Sequence, residues 1–183
     1  MPPRPGCGVT DRAASGGGHR LIEAVEAHHF ELARGMFQEY AAQLGIDLCF
    51  QGFAAELQDL PGMYGPPRGA LFLVMRGATA VGCGALREFA AGVCEMKRVY
   101  VRSTERGAHL GRQVAVSLVD RARMLGYREM VLDTLADMAA ARSLYRSLGF
   151  RETGPYYRNP LPGVVYMKAD LARTPRGQST RTE

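Results

Sequence analysis

The 183-residue sequence has no apolar run near the ~20 residues that a membrane span requires. It also lacks the glycine patterns of nucleotide sites, GxGxxG and GxxxxGK followed by Ser or Thr. Its four cysteines show no CxxC or Cys/His spacing, which argues against zinc sites and disulfides. We therefore expect buried thiols in a reducing compartment, no metal and no membrane partner.

The beginning of the chain has no charged, then apolar, then small-residue pattern of a secretory signal, so a cytoplasmic location is expected. The net charge of +5 lies mostly outside the central part of the sequence. Residues 1–20 sum to +2 and residues 171–183 to +2, which leaves about +1 for the remainder. Because basic tails are more often solvated than bound, no nucleic-acid partner is predicted.

The composition divides the chain into one domain and two tails. Residues 1–18 are rich in Pro, Gly, Ala and Ser, and residues 172–183 are nearly devoid of apolar side chains. Both segments are predicted to be disordered, because they cannot bury enough apolar surface to offset the entropy of ordering. Residues 19–171 have the length and hydrophobic content of a single domain.

Hydrophobic periodicity within this domain predicts an α/β fold. Strands are predicted over 21–25, 70–75, 78–86, 93–101, 129–133, 150–153 and 164–169, and helices over 30–44, 53–60, 110–125 and 138–148. The Pro/Gly-rich segment 61–69 is predicted to be a loop. Short glycine-containing connections favour an antiparallel meander in the middle of the chain, and the strand–helix–strand unit that follows it implies one parallel pair.

The most informative segment runs from Glu95 to Arg112, a strand followed by a polar turn and the start of a helix. The first N–H groups of a helix have no intrahelical partner, and the helix dipole is positive there, so the segment is typical of an anion site. Gly107 and Gly111 allow close approach, while Arg106 and Arg112 add positive charge. The residues alone leave open whether the anion is a nucleotide, a coenzyme or a neighbouring carboxylate.

Two separated blocks resemble the GNAT superfamily of acyl-CoA N-acyltransferases. Residues 106–111 resemble its coenzyme-pyrophosphate signature (Arg or Gln, two residues, Gly, one residue, Gly or Ala), and residues 141–150, ARSLYRSLGF, resemble its second helix and strand junction. The likeness covers roughly residues 20–170. It implies a mixed, mostly antiparallel seven-stranded sheet with one parallel splayed pair and about four flanking helices.

The resemblance implies an acetyl-CoA-dependent N-acetyltransferase, monomeric or homodimeric, that acts on a primary amine of a small molecule or peptide. Two departures motivate an alternative, a catalytically weak or inactive acyl-CoA-binding regulatory or interaction module. His109 replaces the first signature glycine, and Met138 stands where many members have an asparagine. A histidine at position 109 costs roughly 1 kcal/mol or more if the backbone there needs positive φ, and little if it begins the helix.

The resemblance also implies roles for individual residues. The coenzyme-binding residues would be Val99, Tyr100, Val101, Arg106, Gly107, Ala108, His109, Leu110, Gly111, Arg112, Met138 and Tyr145. Tyr145 would protonate the departing thiolate, since a phenol can serve as a general acid. Glu95 would be the catalytic base beside an apolar wall that raises its pKa; the alternative is a structural ion pair with Arg87, Lys97 or Arg98.

Tyr156, Tyr157 and Asn159, in the loop before the last strand, are predicted to line the acceptor pocket, because loops often carry function. Adjacent tyrosines are as often a packed hairpin surface, so that alternative stays open. Tyr64 and Arg68 are weaker candidates of the same kind. His28 and His29 begin a helix without partners at metal-ligand spacing, and a solvated or capping role is expected for them.

Overall fold

The computed structural model describes residues 18–45, 52–105 and 107–172. Apart from Gly18 and Ala172, both predicted tails lie outside these residues, as does Arg106. The strands are β1 (His19–Glu23), β2 (Ala70–Arg76), β3 (Thr79–Ala90), β4 (Val93–Val101), β5 (Glu129–Leu135), β6 (Arg151–Thr153) and β7 (Val164–Asp170). The helices are α1 (Ala27–Leu44), α2 (Phe53–Gln58), α3 (Leu60–Tyr64), α4 (Leu110–Met124) and α5 (Ala139–Ser147), and a 3-10 turn spans Ser103–Glu105.

The seven strands form one sheet in the order β1-β2-β3-β4-β5-β7-β6. Strands β1 to β4 are an antiparallel meander, and β7 pairs antiparallel with both β5 and β6. Strands β4 and β5 are the parallel pair, joined by the crossover helix α4. The mixed, mostly antiparallel sheet predicted from the sequence is thus confirmed.

Two apolar clusters cover the two faces of the sheet. On one face α4 packs on β2, β3 and β4, and its buried residues Val114 and Leu118 belong to a cluster that also includes Tyr145 of α5. On the other face α1 and α3 pack on β3, with Phe37 and Tyr64 completely buried. The sheet is therefore the middle layer of the domain, with helices packed on both of its faces.

The two cysteines among the described residues are free, and their predicted burial is confirmed. Burial raises the pKa of the Cys94 thiol to about 12, and it also raises that of Cys83. Both side chains therefore stay protonated and behave as small apolar groups. Cys7 and Cys49 lie outside the described residues.

Three details of the sequence prediction are wrong. The segment 61–69 is not wholly a loop, because α3 runs from Leu60 to Tyr64 with Pro61 in its first turn. A proline is tolerated there, since the first N–H groups of a helix have no intrahelical acceptor. The predicted helix 53–60 instead ends at Gln58, and the described residues contain five α-helices, in agreement with the expectation of about four. Strand β3 continues to Ala90, four residues beyond its predicted end.

Strands β4 and β5 pair over a short stretch and then separate. Their ladder covers Val93 to Glu95 on β4 and Glu129 to Val131 on β5, although both strands continue further. Within β4 a bulge follows, since two residues of β4 stand opposite one of β3 and Arg98 has φ 57°. The splay exposes the edges of both strands inside the domain.

The bulge also changes which side chains face each layer. Met96 and Val99 pack in the apolar cluster under α4, whereas Lys97 and Arg98 between them contact carboxylates on the opposite face. Two consecutive basic side chains are thereby directed into the same buried layer, which a regular strand would not allow because its side chains alternate. This placement determines the chemistry of the site described next.

Candidate active site

A cavity of about 640 Å³ opens where β4 and β5 separate. It is lined by residues of α1, β4, the start of α4 and α5. The predicted coenzyme residues that line it are Val99, Tyr100, Val101, Gly107, His109, Leu110, Gly111, Met138 and Tyr145. The structure thus brings two distant sequence blocks together around one cavity of the size of a small-molecule site.

The start of α4 presents unpaired donors to this cavity. Gln113 donates the first intrahelical hydrogen bond to the His109 carbonyl, so the N–H groups of Leu110, Gly111 and Arg112 precede the helical ladder. His109 has φ 55° and ψ 20°, the left-handed region, and its side chain caps no N–H group. Of the two possibilities raised by the sequence, positive φ or the first turn of the helix, His109 therefore adopts positive φ, which costs more free energy.

Two of the predicted coenzyme residues that the structure describes, Ala108 and Arg112, do not line the cavity. Arg106 lies outside the described residues, and Ala108 is exposed on the turn. The guanidinium of Arg112 donates to the Ser147 hydroxyl at 2.7 Å and so joins α4 to α5. Among the described residues, the groups at this end that suit an anion are therefore backbone N–H groups and the positive end of the α4 dipole.

A second, smaller cavity of about 70 Å³ adjoins the first, since both are lined by Tyr40, Leu44, Val99, Met138, Ala141 and Tyr145. Its own lining adds the charged residues Lys97, Arg98 and Asp133. The two cavities therefore form a passage with an open, mainly apolar end and a narrow, charged end. We refer to these as the coenzyme end and the acceptor end.

Tyr145 lies at the junction, because it lines both cavities. Its ring packs against Phe150, with the ring centroids 5.8 Å apart, and is 8% exposed. Within the described residues no group hydrogen-bonds its hydroxyl. Burial, with smaller contributions from Tyr40 and Asp133, raises the pKa of Tyr145 well above its ordinary value. The hydroxyl therefore stays protonated at neutral pH and is available as a proton donor.

Met138 is the cap residue of α5 and lines both cavities, but its side chain makes no capping hydrogen bond. Its sulfur instead accepts from the Thr134 hydroxyl at 3.7 Å. An asparagine at this position offers an amide to the helix N–H groups or to a ligand, whereas methionine offers neither. The departure from the family pattern thus removes a polar group from the passage.

Glu95 lies in a buried ionic network, not beside the apolar wall expected from the sequence. Its carboxylate accepts hydrogen bonds from Arg87 at 2.9 Å and from the Tyr156 hydroxyl at 3.0 Å, and Lys97 Nζ lies at 3.5 Å. The residue is 1% exposed and lines neither cavity. The geometry matches the structural ion pair that the sequence left open as the alternative to a base.

A second buried pair fixes the bulge. Arg98 donates two hydrogen bonds to Glu56 of α2, at 2.6 and 2.9 Å, and Tyr64 donates to the same carboxylate at 2.7 Å. Burial alone would raise the pKa of Glu56, but the hydrogen bonds and charge of Arg98 outweigh it, and the pKa is lowered. Glu56 therefore remains ionised and ties α2 to the bulge of β4.

Asp133 is the carboxylate that reaches the acceptor end. Its Oδ2 accepts from the Tyr157 hydroxyl at 3.0 Å and from the Asn159 amide at 3.2 Å. Two of the three residues predicted to line the acceptor pocket thus hold Asp133, while the third, Tyr156, holds Glu95. None of the three lines either cavity.

Sequence reasoning missed Asp133 and Tyr40 as site residues, because it treated them only as parts of a strand and a helix. Asp133 follows the buried apolar run 130–132 of β5 and lies two residues beyond the last residue paired with β4, Val131. A carboxylate just beyond the paired part of a parallel strand is a signal that could have found it. Tyr40 carries no comparable signal, since it continues the apolar face of α1.

The weaker candidates lie elsewhere. Tyr64 is buried under α2, and Arg68 is exposed and paired with Glu88. His29 Nδ1 accepts from the Val25 and Glu26 N–H groups at 3.4 Å, which confirms the capping role expected for it. Over the described residues, no group of three or more His, Cys, Asp or Glu side chains is arranged to hold a metal ion, and no helix has the length and apolarity to cross a membrane.

Comparison with known proteins agrees with this architecture. The family model of the GNAT acetyltransferases matches residues 34–150. An uncharacterized N-acetyltransferase of Schizosaccharomyces pombe is 45% identical over 141 residues, covering 75% of this chain and 86% of that protein. The IAA acetyltransferase of Azospirillum brasilense is 39% identical over 103 residues, covering 55% of this chain and 67% of that protein.

Among solved structures, a GNAT-family acetyltransferase from Staphylococcus aureus superimposes with a TM-score of 0.70 at 17% identity, over 84% of this chain and 99% of that one. At this identity the likeness concerns the fold alone. The family match and the S. pombe relative together show that the chain belongs to the GNAT family of acetyltransferases. Acetyl transfer is the general activity that this membership supports.

Proposed function

We propose that the protein is an acetyl-CoA-dependent N-acetyltransferase that transfers an acetyl group to a primary amine of a small molecule or peptide. The observation that carries the proposal is the passage between β4 and β5. Free helix N–H groups lie at one end, a buried tyrosine hydroxyl at the junction, and a carboxylate at the other end. These are the groups that acyl transfer from a thioester to an amine requires.

In this proposal the coenzyme is held largely by backbone. The N–H groups of residues 110–112 bind the pyrophosphate, with Gly107, Ala108 and His109 forming the turn around it and Arg106 adding positive charge. The unpaired edge of β4 over Val99, Tyr100 and Val101 pairs with the amide groups of the pantetheine arm, and a backbone N–H near Val99 polarises the thioester carbonyl. Two observations support this placement of the coenzyme: the volume of the cavity, and the lack of pairing between β4 and β5 beyond Glu95.

The chemistry requires one proton acceptor and one proton donor. The amine nitrogen attacks the thioester carbonyl carbon, and the carbon–sulfur bond breaks as the amide forms. Asp133 accepts the amine proton, and Tyr145 gives its hydroxyl proton to the departing thiolate. We assign the base to Asp133 rather than to Glu95, because Asp133 lines the acceptor end while Glu95 lies among Arg87, Lys97 and Tyr156.

The test is release of free CoA from acetyl-CoA in the presence of an amine panel, measured with a thiol reagent. Replacement Tyr145→Phe should lower kcat by about 10²- to 10⁴-fold, the range for loss of a general acid. The fold should be unaffected, because no described group hydrogen-bonds that hydroxyl. Tyr127→Phe is the control, since Tyr127 is equally buried and lines neither cavity. Its hydroxyl donates to the Arg68 carbonyl at 2.6 Å, so this variant should lose some stability and keep its kcat. An unchanged kcat in Tyr145→Phe would remove Tyr145 from the acid role.

A second function, a coenzyme-binding module without turnover, is favoured by two observations. His109 holds a strained backbone at the coenzyme end, and Met138 offers no polar side-chain group. Calorimetry that detects CoA binding, together with no turnover on a broad amine panel, would support this alternative, whereas clear turnover would exclude it. A cytoplasmic location and a monomeric or homodimeric state remain predictions.

A further inference from the structure

The acceptor end contains more positive charge than a simple amine acceptor needs. Besides Asp133, the charged residues that line the small cavity are Lys97 and Arg98. A primary amine reaches the enzyme mainly as an ammonium ion, which a carboxylate attracts and buried cations repel. A polyamine or a plain alkylamine would therefore find this lining unfavourable. The lining suits a molecule that carries charges of both signs.

The two cations are held firmly in the buried layer by the structure. Arg98 is fixed by its two hydrogen bonds to Glu56, and Lys97, which is 7% exposed, lies beside Glu95. Burial lowers the pKa of Lys97, although the nearby carboxylates of Glu95 and Asp133 oppose the shift. Keeping buried cations costs several kcal/mol of desolvation unless anions surround them. A carboxylate supplied by a ligand would add to that compensation.

The register places the opposite charge directly across the splay. The last paired residues of the parallel strands are Glu95 and Val131. Lys97 and Asp133 each lie two residues beyond this pair, so they stand at the same level on neighbouring strands. Tyr157 and Asn159 fix Asp133 from one side. The acceptor end thus has an anionic wall on β5 and a cationic wall on β4.

We infer that the acceptor is an amino acid, or another small zwitterion whose carboxylate lies close to its amine. This inference rests on the proposed acetyl transfer. The ammonium group binds Asp133 and loses one proton through it to solvent, so that Asp133 is again a carboxylate when it takes the second proton as the neutral amine attacks. The acceptor's carboxylate binds Lys97 and Arg98. The acceptor is then held at two points, by an anionic group and by cationic groups of the protein. Two such contacts orient the amine toward the thioester, whereas a contact with Asp133 alone would leave it free to rotate.

Matched pairs of acceptors test the inference in the wild-type protein. L-phenylalanine, L-tyrosine, L-histidine and L-lysine are each compared with the amine formed by their decarboxylation, at a fixed concentration of acetyl-CoA. For whichever side chain is accepted, the amino acid should give a kcat/KM about 10- to 100-fold above that of the amine, the effect of one or two charged hydrogen bonds. Equal or faster transfer to the decarboxylated amines would overturn the inference and leave the proposed function intact.

The variant Lys97→Met removes the charge at nearly constant side-chain volume. It should raise KM for the amino acid about tenfold or more relative to KM for the decarboxylated amine, so that the ratio between their kcat/KM values falls. Lys168→Met is the matched control, since Lys168 is an exposed lysine of β7 paired with Glu129. A KM for the amino acid that is the same in Lys97→Met as in the wild type would contradict the inference.

Equilibrium binding separates failure of the inference from failure of the proposed function. If CoA binds but no acceptor is acetylated, the proposed function fails. Titration of the CoA-bound protein with the same matched pairs, followed by calorimetry, then decides the inference by itself. Binding of the amino acids with no detectable binding of the amines would uphold a zwitterion site, and the reverse order would refute it.

Discussion

The two ends of the passage differ in the kind of chemical group that lines them. The coenzyme end uses helix N–H groups, an unpaired strand edge and mainly apolar side chains, whereas the acceptor end uses buried ionised side chains. Backbone donors are present whatever the side chain, so the coenzyme end accommodates His109 and Met138 in unusual places. Buried charges depend on particular partners, so the acceptor end should tolerate far less change.

The strongest test of this difference is Arg98→Met at the acceptor end. Removing the guanidinium takes two hydrogen bonds and the adjacent positive charge from the buried Glu56 carboxylate, which keeps the hydrogen bond from the Tyr64 hydroxyl. Loss of one member of a buried ion pair costs about 3–5 kcal/mol. Urea denaturation should therefore show the free energy of unfolding reduced by about that amount. Arg146→Met, which removes a surface partner of Glu152, should change it by less than about 1 kcal/mol.

The same pair predicts a pH dependence with a definite sign. In the wild type the pKa of Glu56 lies below its ordinary value of 4.5, so its contribution to stability is present above that pH and is lost as the pH falls through the folded-state pKa. In Arg98→Met burial should instead raise this pKa, so the variant should lose stability as the pH rises above 4.5. The difference between the two unfolding free energies should therefore grow from acid to neutral pH. A constant difference would mean that the pair does not set the stability of this layer.

The sequence allows the coenzyme end to be predicted and conceals the acceptor end, for a physical reason. The start of α4 and the strand before it are local, so glycine spacing and apolar alternation suffice to predict them. The acceptor end depends on partners far apart in sequence, since Arg98 and Glu56 are separated by 42 positions and Glu95 and Tyr156 by 61. Apolar periodicity carries no information on which charged side chains will pair in the folded protein. No pattern in a single sequence predicts the bulge that turns Arg98 inward.

A test of intermediate size concerns packing behind the coenzyme end. A Cβ on Gly84 of β3 would lie 2.4 Å from Val114 Cγ1 and 3.0 Å from Leu118 Cδ1, so Gly84→Ala forces α4 away from the sheet. Overpacking of this kind costs about 1–3 kcal/mol. Thermal unfolding should detect the loss, and calorimetry should detect weaker CoA binding, because the N–H groups of α4 move with the helix.

Gly35→Ala is the control for the loss of a glycine. Gly35 lies in the interior of α1, where a Cβ meets no atom within 4 Å. There the change should increase stability by up to about 1 kcal/mol, because alanine is the better helix former. If Gly84→Ala kept both its stability and its CoA affinity, the position of α4 would not be fixed by its contact with β3.

The smallest expected effect is at His109. A non-glycine residue in the left-handed region costs about 1–2 kcal/mol, and glycine loses about 0.5–1 kcal/mol more entropy on folding, so His109→Gly should gain about 0.5–1 kcal/mol. His28→Gly is the control, since His28 has helical backbone in α1 and the same substitution there should lose about 0.5 kcal/mol. If thermal unfolding shows that His109→Gly gains stability and His28→Gly loses it, the gain at position 109 comes from relief of backbone strain.

CoA affinity in His109→Gly then shows whether the coenzyme end depends on backbone alone. If only N–H groups hold the pyrophosphate, the variant should bind CoA as tightly as the wild type or slightly more tightly, because relief of strain leaves the donors of residues 110–112 in place. A tenfold loss of affinity, despite the gain in stability, would mean that the imidazole itself contacts the coenzyme. In that case the coenzyme end, like the acceptor end, would depend on the identity of a side chain, and the contrast between the two ends would not hold.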